Sequence, residues 1–292
     1  MPIKILSGQV SQKLSSGQVI ADIPSIVKEL LEQIKDNGIG IDRNDIEHAG
    51  KRHHTSKLKD LNDLESLHSY GFRGEGLNSI CQISDNVTVV TKTKHDTVGQ
   101  HYCLDKQATV KSKKPTGLLP QSGTIITAEK PFYDLPVRRQ QAERNKQTQQ
   151  HIIKEMVIRY ALVQHHIRFV LNRTWVKPST TNLLSRVSML FSRTLSTVLS
   201  EWVEEKDKLK IHALIPKADS DPAEIYKENK VYVYVNQRPI HYVASELKQA
   251  INAFKVRCRE ILGFDDQKKL PFLFLHIQIP PTEYDGKYTR NE

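Results

Sequence analysis

The run Asp36-Asn37-Gly38-Ile39-Gly40-Ile41 constrains this chain more than any other. Two glycines one residue apart admit backbone conformations closed to other residues, so amides there can turn inward towards an anion. Asp36 beside them can accept a hydrogen bond from an exocyclic amine such as that of adenine. The same residues also make an ordinary tight turn, and the loop alone does not separate the two. A helix is expected just ahead of it. Asp22 is a cap candidate, Pro24 suits the first turn, and Ile26, Val27, Leu30 and Leu31 recur at helical spacing. Glu29 and Gln33 lie off that apolar face, one turn apart. A carboxylate stacked on an amide oxygen suits a general base beside a ligand for hydrated magnesium, and equally suits a solvated polar edge.

Further along, Lys51-Arg52-His53-His54-Thr55-Ser56-Lys57 reads as a solvated basic turn, because adjacent histidines on a helix point apart and no third ligand follows at metal spacing. Tyr70-Gly71-Phe72-Arg73-Gly74-Glu75-Gly76 is a second glycine-rich loop, opening a helix with Leu77, Ile80 and Cys81 on one side. Its unpaired first-turn amides make it a phosphate cradle or a plain connector. Strand patterns over 86–93, 100–104 and 123–128 predict an antiparallel meander, with the lysine-rich stretch 111–120 as a mobile loop. A long helix follows Phe132–Arg139, its buried stripe drawn from Ile152, Ile153, Met156, Val157, Tyr160 and Ala161, and a strand covers 167–171. Together these elements predict an α+β sandwich. After the Pro178-Ser179-Thr180-Thr181 connector come strands at 209–215 and 230–236. A helix with Leu247, Ile251, Phe254, Cys258 and Ile261 on one face and a strand over 271–277 then predict a right-handed βαβ unit.

A chain of 292 residues suggests two domains. Lysine and arginine outnumber aspartate and glutamate 43 to 33, a formal charge of +10. That favours a polyanionic partner, nucleic acid ahead of membrane, since no long apolar segment or basic amphipathic helix is visible; solvated lysines would give the same balance. Cys81, Cys103 and Cys258 are too scattered for a disulfide framework or a paired zinc motif and read as reduced thiols of an intracellular protein. The opening residues lack the apolar core of a signal peptide.

Taken in order, Val27-Lys28-Glu29-Leu30, Asp36–Ile41, Thr55-Ser56-Lys57, Gly71-Phe72-Arg73-Gly74-Glu75 and Leu135-Pro136-Val137-Arg138 resemble the N-terminal half of MutL-type DNA mismatch repair proteins. The wording leans to the post-meiotic-segregation branch, within the GHKL superfamily of ATPases. The resemblance implies a GHKL-type α/β sandwich over 1–180. Over 181–292 it implies a transducer domain similar to ribosomal protein S-five, whose characteristic strand matches Tyr234-Val235-Asn236-Gln237-Arg238-Pro239. It implies ATP and Mg2+ as ligands, with Glu29 as general base and Gln33 where the family has a magnesium-binding asparagine. Asp36 would read adenine, with Gly38 and Gly40 shaping the base pocket. Thr55, Ser56 and Lys57 fall in the lid, and Gly71, Arg73, Gly74, Glu75 and Gly76 in the loop that wraps the triphosphate. Gly123 and Thr124 match the last nucleotide motif, at the adenine end. Arg138, Arg139, Arg144, Lys146 and Arg159 are candidate contacts to DNA phosphates. A nuclear protein is implied, pairing with a MutL-family subunit and working with MutS-type mismatch recognition proteins. The family's endonuclease domain lies beyond the matched segment, so no nuclease is expected from these residues.

One departure bears on function. Between the helix and Asp36 stand only Gln33-Ile34-Lys35, where the family has one or two strands. Three residues span at most about 11 Å, too little to cross a sheet. The last valine-rich strand of the family's transducer, with its phosphate-sensing lysine, is also without a clear counterpart, and Lys287 does not align with that lysine. Two functions follow: an ATP-driven clamp module, or a DNA- or partner-binding scaffold whose nucleotide site is lost.

Overall fold

The computed structural model describes residues 20–33, 38–51, 76–171 and 175–280. Contacts divide the chain into two compact units, Met1–Ile153 and Lys154–Glu292.

In the first unit, helix α1 spans Ile23–Gln33. Asp22 caps its start as the sequence predicts, accepting from the Ser25 amide at Oδ1 (2.9 Å), and Ser25, which the sequence reading did not include, returns the contact by accepting from the Asp22 amide at Oγ (3.2 Å). Helix α2, Gly76–Ile83, runs directly into strand β1, Ser84–Lys92. Strands β2 (Gly99–Leu104), β3 (Val110–Thr116) and β4 (Gly123–Pro131) complete a sheet of order β3-β2-β1-β4, antiparallel throughout. Ile26 of α1, Leu77 and Ile80 of α2, Val87 and Val89 of β1, and Tyr102 of β2 close one core cluster.

Two expectations are corrected here. The strands do not form a meander, because β4 returns beside β1 and pairs Val89 with Ile126 and Thr91 with Thr124. The lysine-rich stretch is not a loop over its whole length: Val110–Thr116 is β3, paired along β2. It sits at the sheet's edge with Lys111, Lys113, Lys114 and Pro115 exposed. An edge strand tolerates proline and gains protection from lysines, so its composition mimics a loop.

The long helix of the sequence reading divides at Asn145 into α3 (Pro136–Arg144) and α4 (Lys146–Val163). Ile152 is exposed and Ile153 and Met156 are half-buried; the continuous buried run is Val157, Ile158 and Tyr160–Val163, in the second half of α4.

The second unit begins within α4 and continues with the hairpin β5 (Phe169–Leu171) and β6 (Trp175–Lys177). Helices α5 (Leu183–Leu190) and α6 (Arg193–Thr197) lead to β7 (Leu199–Lys206) and β8 (Leu209–Pro216). Helix α7 (Pro222–Lys227), β9 (Val231–Val235), β10 (Arg238–Pro239), α8 (Leu247–Leu262) and β11 (Leu273–Gln278) follow. The sheet order is β10-β9-β11-β8-β7, and β11 lies parallel to β9 across α8, the expected βαβ unit. Asn236 and Gln237 both have positive φ, the geometry of a two-residue hairpin turn between β9 and β10. On α8 the predicted face is buried at Ile251 and Cys258, but Ile261 at its end is exposed.

Lys177 at the end of β6 is fully buried. Its ammonium donates to the carbonyls of Gln164 (2.9 Å), His165 (3.3 Å) and Ile167 (2.9 Å), just past the end of α4. Burial, and then the neighbouring Arg186, lower its pKa to about 8, which leaves it charged at neutral pH. Cations suit a helix C-terminus, where carbonyls lack intrahelical donors. Lys177→Met keeps the bulk and removes all three donors. The expected loss is about 2 kcal/mol of stability, measured by chemical denaturation, and an unchanged midpoint would show the ammonium to be dispensable.

Candidate functional site

Helix α1 presents Glu29 as a half-buried residue. Gln33 is the last residue of α1, and its side chain lies outside the described residues, as do Asp36, Thr55, Ser56, Lys57, Gly71, Arg73, Gly74 and Glu75.

The glycine loop is described from Gly38 onward. Gly38 and Gly40 have φ of +67° and +81°, a conformation that side chains rarely adopt. At Gly40 a Cβ would lie 2.2 Å from the Lys92 carbonyl oxygen and 2.9 Å from the Thr93 amide nitrogen. The loop is thus pressed against the end of β1, and only glycine fits. At Gly38 a Cβ would meet the Ser122 carbonyl oxygen at an ordinary 3.9 Å.

Thr91 joins this loop to β4. Its hydroxyl oxygen accepts the Ile41 amide proton at 2.7 Å, lies 2.9 Å from Thr124 Oγ1 and donates to the Gly123 carbonyl at 3.2 Å. One proton assignment satisfies all three contacts: Thr124 and Ile41 donate, and Thr91 passes its own proton to Gly123. The structure therefore brings together Gly38, Gly40, Gly123 and Thr124, four of the residues singled out in the sequence. Thr91 was missed there. It has a visible signal: it follows Val87 and Val89 on the buried period of β1, a polar residue in a core register.

The chain after the loop is fixed as well. Arg43 Nε lies 2.9 Å from Asp96 in the β1–β2 turn. The Thr93 hydroxyl and amide, helped by Arg43, hold the Asp96 carboxyl below its ordinary pKa. Asn78 of α2 donates to the Gly50 carbonyl at 3.0 Å, anchoring the far end of this segment. Gly76 is buried in α2; the rest of the second glycine loop, 70–75, lies outside the described residues.

Of the candidate DNA contacts, Arg138 is half-buried and donates to the Ile20 carbonyl at 3.0 Å, while Arg139 reaches the Tyr133 carbonyl at 3.4 Å. Arg144 and Lys146 are exposed around the break between α3 and α4, and Arg159 is exposed in the second unit. Among the described residues no group of three histidines, cysteines or carboxylates could hold a metal ion, and no helix is long and apolar enough to cross a membrane.

Residues 187–287 match the family "DNA mismatch repair protein, C-terminal domain". The chain is 28% identical to human "PMS1 protein homolog 1", over 98% of its own length and 33% of the relative's. It is 35% identical to "DNA mismatch repair protein PMS1" of Arabidopsis thaliana, over 59% of its length and 21% of the relative's. Against "DNA mismatch repair protein MutL" of Pseudothermotoga lettingae it is 27% identical, over 98% of its length and 53% of the relative's. The chain thus spans from about a fifth to about half of these curated relatives.

Among solved structures, the N-terminal domain of a DNA repair protein superposes with a TM-score of 0.73 at 21% identity, covering 96% of this chain and 91% of that one. The Aquifex aeolicus MutL ATPase domain complexed with ADP gives 0.59 at 19% identity, covering 90% and 94%. The chain accordingly shares the fold of these solved domains, in the α+β class the sequence predicts. With its ordered motifs and these relatives, the chain is similar to MutL-type DNA mismatch repair proteins, and the PMS1 relatives among them are in line with a likeness to the post-meiotic-segregation branch.

Proposed function

We propose that this chain is the ATP-operated N-terminal module of a MutL-family mismatch repair protein. The observation that carries the reading is the joining of the Gly38–Ile41 loop to Thr91, Gly123 and Thr124, which assembles residues far apart in sequence into one backbone-lined corner. A GHKL-type domain over 1–180 would hold the nucleotide, and a transducer domain over 181–292 would follow it. Asp36, Gly38, Gly40 and Thr124 would seat the adenine, and Gly71, Arg73, Gly74, Glu75 and Gly76 would surround the phosphates. Mg2+ would bind beside Gln33. Bound ATP supplies a scissile phosphoanhydride; Glu29, on the helix entering the loop, would take the proton of the attacking water.

With the lid residues Thr55, Ser56 and Lys57 closed, two such modules would pair, this one with another MutL-family subunit, and would act in the nucleus with MutS-type proteins. Closure of this kind is an order–disorder switch in which ligand binding offsets the ordering entropy. DNA would be held through phosphates by Arg139, Arg144, Lys146 and Arg159, with Arg138 at the edge, so affinity should fall steeply with salt and show little sequence preference.

Titration of the full chain with a labelled non-hydrolysable ATP analogue and Mg2+ tests the reading. Saturable binding weakened at least about tenfold in Asp36→Ala supports it. A second reading, a scaffold without nucleotide, is favoured by the sequence, in which only Gln33-Ile34-Lys35 stand before Asp36 where the resembled family has one or two strands. Folded protein that binds DNA but not the analogue would establish that second reading.

A further inference from the structure

We infer that Thr91 is a positioning residue for the glycine loop, a role deepening, and resting on, the nucleotide-site reading above. The loop itself offers little to hold it. Its glycines carry no side chains, and their positive φ values leave the backbone free to relax towards other conformations. Among the described residues, the side chain that bonds it to the sheet is Thr91, whose hydroxyl is almost entirely buried, the residue being 3% exposed.

That hydroxyl receives the amide of Ile41, the residue directly after Gly40, and it is tied in turn to β4 at Gly123 and Thr124. The contact crosses 50 residues of sequence, so it sets tertiary placement and not local turn geometry. Close packing of Gly40 on the Lys92 carbonyl supplies the complementary push: the loop can approach no nearer, and the Thr91 bond keeps it from moving away. Thr124 was assigned to the adenine end of the site on resemblance. Thr91 is the link by which its position is communicated to the loop that would face the same base.

Thr91→Val is the decisive substitution, because valine matches threonine in shape and is at home in a strand while it orphans the Ile41 amide and the Thr124 hydroxyl. Two readouts are taken on the full chain. In ligand-free protein, hydrogen exchange at the Ile41 amide should accelerate at least about tenfold in Thr91→Val, with Val87 and Val89 amides of the same strand unchanged. In the ATP-analogue titration, the dissociation constant should rise about tenfold, and Thr91→Ser, which restores the hydroxyl, should recover most of the loss.

Exchange at Ile41 unchanged by the valine, or a serine variant as impaired as the valine, would overturn the inference. If Val87 and Val89 loosen together with Ile41, Thr91 serves the sheet at large and the positioning role fails. Should the unmodified chain bind no nucleotide, the nucleotide-site reading falls, and the exchange measurement still decides whether Thr91 holds the loop.

Discussion

Gly40→Ala is expected to destabilise the first unit by about 3 kcal/mol or more, a large share of the roughly 5–15 kcal/mol that holds a typical domain together. Two costs combine. An L-residue at φ +81° loses about 1–2 kcal/mol, and a methyl group built 2.2 Å from the Lys92 carbonyl oxygen forces the loop or the end of β1 to move. The obstacle is backbone, which cannot swing aside as a flexible side chain would. Gly38→Ala is the matched control. Its φ is also positive, but its added carbon meets the Ser122 carbonyl oxygen at a comfortable 3.9 Å, so only the conformational cost of about 1 kcal/mol is expected. Denaturant unfolding of both variants checks the difference. Equal midpoints would mean that Gly40 does not pack on Lys92 as described.

Glu29→Ala is expected to reduce ATP turnover by about a hundredfold or more while leaving analogue binding nearly intact. A positioned general base contributes on the order of 10²- to 10⁴-fold, and a carboxylate that acts on water has no need to contact the nucleotide tightly in its ground state. Glu29 sits in the second turn of α1, a helix locked at its start by the Asp22–Ser25 pair and seated in the core through Ile26. Removing the carboxylate should therefore leave the helix in place, which circular dichroism would verify. Turnover that survives the substitution would assign the base elsewhere. Equal loss of binding and turnover would make Glu29 part of the pocket wall.

Much of this architecture was legible in the residues because local and tertiary demands coincide. The Asp22 cap, the Ile26 face of α1, the positive-φ glycines and the βαβ crossover around α8 each follow from a pattern that has one economical reading. The misses share another cause. β3 carries lysines and a proline because it is an edge, and β7 is exposed from Ser200 to Lys206, so neither strand shows the alternation of a half-buried one. The α4 stripe was placed too early because Ile152 and Ile153 belong to the right period but to a stretch of helix with little packed against it. Thr91 escaped for a subtler reason: its register marked it as buried, but a hydroxyl partner 50 residues earlier is not encoded in any local pattern. Resemblance named Gly123 and Thr124, and the fold supplied the residue that connects them to the loop.

The position of β11 has a consequence for how the protein is made. Residues 273–278 form the central strand of the second sheet, so the β7–β8 hairpin and the β9–β10 hairpin share no strand until it arrives. A ribosome that has delivered the chain only as far as α8 leaves two separate half-sheets, with β8 and β9 each presenting open ladder groups to any passing partner. The full second sheet is completed only when this late strand pairs with both halves. Premature termination within or before β11 should therefore leave the second sheet as an aggregation-prone product and not a smaller folded domain, checked by the solubility of chains truncated before residue 273.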